Sequence, residues 1–591
     1  MWRTNSDQRV SSPAHSPPVV IFDIFRRRVS PLGVVAVFAT LLVGCELLAD
    51  DAATTANKKT STADAWSATT SALYPAGQSS ATDAEAISAE QMAAHIDRLL
   101  ADAWQAAGVE AASPTTDSEF VRRVYLDLIG RIPSVAETLD FVDDTHADKR
   151  RLLVENLLQR GAWAAHFANT WRDLLLAGSA NPEMRAQSAA LESWLRLRFA
   201  VNMPYDKMAR ELLTARVSSG ATDAGEPSPA AFYLAADYKP EQLAASTSRV
   251  FLGIQLQCAQ CHDHPFASWK REQFWQMAAF FKDLNNETAM PAEKPLTLAA
   301  LVKLVSLDDA DSLKVPDSKI VVKPQFLDGK SPQFKPDQIK REVLAQWIVD
   351  SANPLFARAA VNRLWDHFFG RGLVSPVDHL DTAGPPSQPQ VFDELSQQFV
   401  LHGYDLKYLI RVITATQAYQ LSSAAGGKPN DQQLLLFGRM PLRRMSGDQL
   451  FASFVQATGF QPVSQSTTQA AQLEPTARDD FQARFNDNSV PRTEAPTTIL
   501  QALALMNGKY VADATDLKES RVFASIADAP YLDAKGRIEM LFLSALSRRP
   551  DATELEQLSA YISSSPKHDE KGPLADVFWS LLNSAEFVLN H

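Results

Sequence analysis

Apolar residues recur at helical spacing along most of the chain from residue 88 onward. Val121, Val124 and Leu128, for example, fall at i, i+3 and i+7, which places them on one face of a helix. Gly130 and Pro133 follow, and both residue types commonly end helices. Because this pattern dominates the sequence, it predicts a mainly α fold.

Several helix starts are marked by a capping box, in which Ser or Thr precedes Glu or Gln by three residues. The side chains of such a pair satisfy free backbone N–H groups in the first helical turn. The pairs are Ser134 with Glu137, Ser446 with Gln449, and Thr553 with Glu556. These pairs predict where helices begin and carry no functional meaning.

One long segment interrupts the helical pattern. Residues 286–336 are rich in Pro, Asp and Lys and contain the β-branched run Ile320-Val321-Val322. We expect a linker that carries a small β element and joins two helical domains, residues 88–285 and 337–591. A second polar stretch, roughly residues 462–495, predicts a long surface loop.

The first 45 residues have the pattern of an export signal. Arg26 to Arg28 form a positive patch, a short apolar run follows, and Leu42-Val43-Gly44-Cys45 ends the run. This ending resembles the bacterial lipobox, which implies that Cys45 is lipidated and anchors the protein to a membrane. An ordinary signal peptide with an incidental cysteine is the alternative.

A tether follows the signal. Residues 46–87 are dense in Ala, Thr, Ser and Asp and have little to bury, so they predict a flexible spacer between membrane and folded body. We therefore place the protein in the cell envelope, with its folded part facing the periplasm or the surface.

Composition and charge exclude several classes of protein. Hydrophobic residues make up 46% of the 591 residues, which is enough for real cores. The net charge of −12 and the lack of a long basic run argue against a nucleic-acid partner. The sequence contains no stretch of about 18 apolar residues, so it predicts no ordinary membrane span. Phosphate-binding glycine loops, G-x-S-x-G and H-E-x-x-H are also missing from the sequence, and no catalytic residue stands out.

The sharpest chemical signal is Cys258-Ala-Gln-Cys261-His262, which uses two of the three cysteines in the chain. In c-type cytochromes this spacing lets both thiols form thioethers with haem vinyl groups while the histidine ligates iron. The following residues form an aromatic-rich helix that could cover a porphyrin face, although core packing is the alternative for each of them. They are Trp269, Phe274, Trp275, Met277, Phe280 and Phe281.

The sixth iron ligand is less clear. Met277 and Met290 lie downstream, and Met is a usual axial partner in electron-transfer cytochromes. Three histidines are further candidates: His166, His367 and His379. Without a sixth ligand, the iron would be open to small molecules, as in a peroxidase or a sensor.

Two other kinds of site fit the same residues. Together with Asp263 and His264, the motif offers two thiolates, two imidazoles and a carboxylate, a set that could hold zinc or non-haem iron. Alternatively, Cys258 and Cys261 could form a disulfide in an exported protein.

Four longer segments carry a family resemblance. They are FVRRVYLDLIGRIP at residues 120–133, HFANTWRDLLL at 166–176, FLGIQLQCAQCHDHPFASWKREQFWQMAAFF at 251–281, and residues 353–423, which begin NPLFARAAVNRLWDHFFGRGLVSPVDHLDTAGPPSQPQ and end GYDLKYLIRVITATQAYQLSS. The first three resemble the planctomycete-type cytochrome c domain family, catalogued as a domain of unknown function. The fourth resembles the C-terminal domain of unknown function that usually follows it.

The resemblance implies an exported protein of two helical domains with a cytochrome-like motif and no established substrate. In the second domain, Arg358, Asn362 and Arg363 could face a cleft, but a network that ties helix ends together is the favoured interpretation.

We therefore expect haem c on Cys258 and Cys261, with His262 as axial ligand, in an anchored protein that exchanges electrons with a periplasmic partner. A non-haem metal-dependent hydrolase acting on extracellular polymers, with His264 among its ligands, is one alternative. A non-enzymatic surface scaffold stabilised by a disulfide is the other.

Overall fold

The computed structural model describes residues 85–177, 184–216, 227–282, 284, 312–335, 338–424, 431–460, 485, 493, 520–564 and 571–591. The export signal with Cys45, most of the tether, Met290 and nearly all of the stretch 462–495 lie outside these residues.

Short and medium helices fill the chain before the predicted linker. They are α1 Ala89–Ala107, α2 Asp117–Leu128, α3 Val135–Val142, α4 Lys149–Gln159, α5 Gly161–Leu175, α6 Met184–Ala200, α7 Tyr205–Thr214, α8 Ala230–Ala235, α9 Pro240–Thr247 and α10 Arg271–Ala278. A π-helical turn, Ser248–Leu252, extends α9, and 3-10 turns cover Leu256–Ala259 and Ala279–Phe281.

A small antiparallel hairpin forms within the linker. Strand β1, Leu313–Lys314, pairs with β2, Val321–Val322, so that Leu313 lies opposite Val322. The small β element predicted from the run at residues 320–322 is therefore confirmed.

Helices also dominate the described residues after the linker. They are α11 Lys340–Ile348, α12 Pro354–Phe369, α13 Pro389–Leu401, α14 Leu406–Ala415, α15 Asp431–Leu435, α16 Gly447–Thr458, α17 Arg521–Ala527, α18 Ala534–Leu546, α19 Ala552–Ser563, α20 Lys571–Leu582 and α21 Ala585–Val588. A 3-10 turn covers Ala418–Gln420, and β3, Arg443–Arg444, pairs antiparallel with β4, Leu589–Asn590. The mainly α fold is confirmed.

Two of the three capping boxes are confirmed. Ser134 starts α3 and Ser446 starts α16, each with its partner three residues on. The third prediction is wrong, because α19 starts two residues earlier than Thr553 implies. Asp551 is its N-cap and pairs with Glu554, since an aspartate accepts the free N–H groups as well as a threonine does.

Two hydrophobic clusters make up the described core. The larger one draws residues from α1 through Met440 and therefore combines helices from both sides of the linker. Tyr205 of α7 stacks on Phe356 of α12 with ring centroids 5.3 Å apart. The smaller cluster joins Leu126 and Ile132 to the helices from α16 onward. Among the described helices, none combines the length and apolar character needed to cross a membrane.

A buried carboxylate links distant parts of this fold. Asp127 of α2 accepts hydrogen bonds from Arg443 Nη1 and Nη2, both at 2.9 Å, and from Tyr419 Oη and Asn590 Nδ2, both at 2.8 Å. Burial opposes its ionisation, but the charge and hydrogen bonds of Arg443 outweigh burial and hold the pKa of Asp127 below its usual value. One side chain thus joins α2 to both strands of the β3–β4 pair.

The neighbouring arginines strengthen the same junction. Arg122 is buried and donates to the main-chain oxygens of Ala545 and Phe587 at 3.1 and 2.7 Å. Arg123 is also buried and donates to the Leu421 carbonyl at 2.8 Å. The R-R-x-x-x-D pattern of α2 is therefore a structural connector between the N-terminal helices and the C-terminal strand.

Arg443→Met should lower the free energy of unfolding by about 3–5 kcal/mol, because it leaves the Asp127 carboxylate buried and unpaired. Urea unfolding followed by circular dichroism measures this change. Glu155→Gln is the control, since Glu155 pairs with Arg411 where both side chains are about 30% exposed. That control should cost about 0–1 kcal/mol. Equal costs for the two variants would contradict this account.

Candidate functional site

The cysteine motif lies in a short turn that follows a helix end. The helical segment of α9 ends at Gly253, whose φ of +66° belongs to the left-handed region. A Cβ at Gly253 would lie 2.8 Å from Leu380 Cδ1, so the close approach of the second domain also requires glycine here. The next residues form the 3-10 turn that carries Cys258. The motif therefore lies just past a helix end and begins within this turn.

The three motif side chains are accessible. Cys258 and Cys261 are exposed free thiols, and His262 is also exposed. Between them, Ala259 is fully buried, which fixes the turn to the core. The disulfide alternative is therefore not formed in this structure, and both sulfurs are available for reaction.

His262 is held in a defined tautomer. Its Nδ1 lies 2.6 Å from the main-chain oxygen of Asp263. A carbonyl oxygen only accepts hydrogen bonds, so Nδ1 carries the proton and donates. Nε2 of the neutral ring then has a free lone pair, which is the arrangement that metal-ligating histidines use.

His264 has the opposite arrangement. The backbone N–H groups of Phe266 and Ala267 donate to its Nδ1 at 3.1 and 2.8 Å, so Nδ1 is the acceptor and Nε2 carries the proton. Burial lowers the pKa of His264, while the charge of Asp381 opposes that shift. The Nδ1 lone pair of His264, the alternative non-haem ligand, is therefore already used in hydrogen bonds within its own loop.

Asp263 is committed to the helix that follows. Its carboxylate accepts from the backbone N–H of Arg271 at 3.0 Å and from Lys270 Nζ at 2.9 Å. The backbone hydrogen bond of Arg271 and the ion pair with Lys270 lower the pKa of Asp263. Within the described ranges, no three or more His, Cys, Asp or Glu side chains are grouped so that they could hold a metal ion.

The aromatic residues after the motif pack into the core. All six residues of the expected haem wall are at most 4% exposed, and Met277 is fully buried. Trp275 Nε1 donates to the Gln260 main-chain oxygen at 3.0 Å, and Trp269 Nε1 donates to Asp381 Oδ2 at 2.8 Å. These two indoles therefore anchor the motif loop, residues 258–269, to the core. Met277 lies in that core, whereas His262 is exposed to solvent.

The three histidine candidates for the sixth position lie in different places. His166 and His367 face each other with ring centroids 5.9 Å apart, and His367 Nε2 lies 3.0 Å from the Asp127 carbonyl. They belong to the buried junction described above. His379 lies instead on the segment of the second domain that approaches the motif, where its Nδ1 contacts Thr382 Oγ1 at 3.1 Å.

The polar cluster of α12 fixes that segment. Asn362 Nδ2 donates to the carbonyls of Val374 and Val377 at 2.8 and 3.1 Å, and Arg363 pairs with Asp378. Arg358 pairs with Asp393 of α13. The interpretation of these residues as a network that ties helix ends together is confirmed.

Residues 373–381, called the docking loop below, bring Asp381 against the motif loop. Burial raises the pKa of Asp381, and the hydrogen bond from Trp269 opposes that shift. Sequence reasoning missed Asp381 because its partner is 112 residues away. The only sequence signal was the Asp-His-Leu-Asp string at residues 378–381, which lies inside a segment of family resemblance.

Both motif thiols should react with N-ethylmaleimide in the folded, haem-free protein without denaturant, because both are exposed. Peptide mass mapping locates the label. Ala259→Cys supplies the matched control, since a thiol at this fully buried position should stay unlabelled until the protein is denatured. Protection of Cys258 or Cys261 in the native protein would contradict the arrangement of the turn.

Two family models match the chain. The first is PSCyt2, described as a protein of unknown function (DUF1549), and it matches residues 95–286. The second is PSD1, described as a protein of unknown function (DUF1553), and it matches residues 340–472 and 461–562. No curated protein and no solved structure matches the chain. The protein therefore belongs to the planctomycete-type family in which a PSCyt2 domain is followed by a PSD1 domain.

Proposed function

We propose that this protein is a membrane-anchored c-type haem protein of the cell envelope that exchanges electrons with a periplasmic partner. The observation that carries the proposal is the exposure of the three side chains of the motif, Cys258, Cys261 and His262. Two free thiols and an imidazole whose Nδ1 donates to the Asp263 carbonyl are all exposed within five residues. When bound, haem supplies a one-electron redox centre.

The donor set fits covalent haem. Thioether formation requires two reactive thiols at the C-x-x-C spacing, and axial ligation requires a nitrogen lone pair on the adjacent histidine. Cys258 and Cys261 meet the first requirement. His262 meets the second because its Nδ1 proton is already donated to the Asp263 carbonyl.

Other residues of the chain hold this donor set in place. The Gln260 carbonyl, between the two cysteines, accepts from Trp275 Nε1 at 3.0 Å and from Arg271 Nε at 3.3 Å. Asp263 fastens the other end of the motif to the start of α10. These hydrogen bonds hold the backbone of the turn at Gln260 and at Asp263. A backbone that is already ordered loses less conformational entropy when its side chains bind one rigid ligand.

The exported, anchored location rests on the N-terminal sequence. A positive patch, a short apolar run and Cys45 after Gly44 form the pattern of a lipoprotein signal. Export also fits the chemistry, because haem attachment of this type takes place outside the cytoplasm. The tether then gives the folded part reach from the membrane surface.

Coexpression of the full chain with a cytochrome c maturation system should yield covalent haem at one per chain, seen by haem staining of a denaturing gel and by the pyridine haemochrome spectrum. The double variant Cys258→Ser with Cys261→Ser should lose the stain, because no thioether can form.

A wild-type protein that folds but remains unstained would overturn the haem proposal. Stoichiometric zinc without porphyrin would then favour the metal-dependent alternative. A mass two daltons below that of the reduced chain would favour the disulfide scaffold.

Cys45→Ser should abolish incorporation of labelled palmitate while leaving the haem stain unchanged, because Cys45 serves only the anchor. The measurement is palmitate labelling of the exported protein beside the same haem-stained gel. The cysteine pair of the motif is the reciprocal control, since its double Ser variant should keep the lipid label. An unlabelled wild-type protein would contradict the anchor.

A further inference from the structure

The docking loop of the PSD1 domain contacts the PSCyt2 domain on either side of the cysteine motif, at Gly253 and at Trp269. Leu380 N–H donates to the Gly253 carbonyl at 2.9 Å, just before the cysteine turn. On the same loop, Asp378 pairs with Arg363 of its own domain and lies 3.6 Å from Arg249 Nη1 of the other. The loop is therefore fastened to both domains before it reaches Asp381.

A series of hydrogen bonds runs from Asp381 to His264, two residues after the end of the motif. Asp381 Oδ2 accepts from Trp269 Nε1 at 2.8 Å, and the Trp269 carbonyl accepts from His264 N–H at 2.8 Å. His264 Nδ1 in turn accepts the backbone N–H groups of Phe266 and Ala267. Trp269 is only 1% exposed, so its indole N–H depends on this protein acceptor.

We infer that Asp381 is a positioning residue for the cysteine motif, so that the PSD1 domain completes the haem site formed by the PSCyt2 domain. This inference rests on the proposed function for its haem part and on geometry alone for its positioning part. Asp381 acts through Trp269 and His264, which order the residues immediately after His262.

The physical basis is the cost of a lost acceptor. A buried indole N–H without a partner is unfavourable, and a hydrogen bond to an ionised carboxylate is worth about 1.5–3 kcal/mol. Loss of the acceptor should therefore free Trp269 and loosen the loop of residues 264–269. That loosening reaches His262, because only one residue separates it from His264.

The test compares three variants of the full chain. Asp381→Ala removes the acceptor, Trp269→Phe removes the donor while keeping a large ring, and Asp381→Asn keeps a neutral acceptor of the same shape. Hydrogen exchange by mass spectrometry on peptides covering residues 262–270 reports the loop. It is measured first in haem-free protein and then compared with the reduction potential of the haem-loaded protein.

Asp381→Ala and Trp269→Phe should each speed exchange in this loop by about 10- to 100-fold, which is the energy of the lost hydrogen bond expressed as a rate ratio. Both should also shift the reduction potential. Asp381→Asn should restore part of the protection, because a neutral acceptor makes a weaker hydrogen bond than a carboxylate does. If one variant fails to fold, the other decides the same question.

Glu211→Ala is the matched control, because Glu211 accepts from Trp194 Nε1 at 3.1 Å on helices other than α10. It should leave exchange at residues 262–270 unchanged. Unchanged exchange in both Asp381→Ala and Trp269→Phe would overturn the inference. Because exchange is measured without haem, an unstained wild-type protein would refute the proposed function without affecting this result.

Discussion

The buried pairing of Asp127 with Arg443 is the contact on which the arrangement of the two domains depends. Arg443 also donates to the His367 carbonyl at 2.8 Å, which attaches α12 to the same centre. Helix α12 then ends at Gly370, where a Cβ would lie 2.9 Å from Arg443 Cγ. The docking loop starts three residues later, so the same junction that holds the C-terminal strand also directs this loop toward the cysteine motif.

The functional consequence that we propose is a site formed by the PSCyt2 domain and held in position by the PSD1 domain. The PSCyt2 segment supplies both thiols and the imidazole, and the PSD1 segment supplies Asp381, the acceptor for the indole N–H of Trp269. The shared core gives a physical reason for this division, because helices of both segments pack in one hydrophobic cluster. Two domains of unknown function that occur together can thus be understood as one working unit.

Local features of the sequence were predicted well. The helical pattern, the capping boxes at Ser134 and Ser446, and the small β element predicted from residues 320–322 follow from short-range chemistry, and the structure confirms them. The capping position of α19 was misplaced by two residues, since Asp551 and Thr553 both offer a capping oxygen and only the fold decides between them.

Two features of the site could not be predicted from the sequence: the contacts between residues far apart in the chain, and the ring nitrogen that carries the proton in each histidine. Asp381 reaches Trp269 across 112 residues, and no periodicity encodes such a contact. His262 and His264 look equivalent in sequence, yet one donates through Nδ1 and the other accepts there. The sequence predicts that the aromatic helix could cover a porphyrin face, whereas tertiary packing buries its aromatic side chains and leaves the thiols exposed.

The central claim is that the accessible turn at residues 258–262 carries covalent haem. Mass spectrometry of proteolytic peptides from the exported protein tests it most directly. We expect the peptide containing Cys258 and Cys261 to be heavier by one haem and to absorb in the Soret band. The same peptide recovered without haem from a folded protein that was exported beside an active maturation system would contradict it.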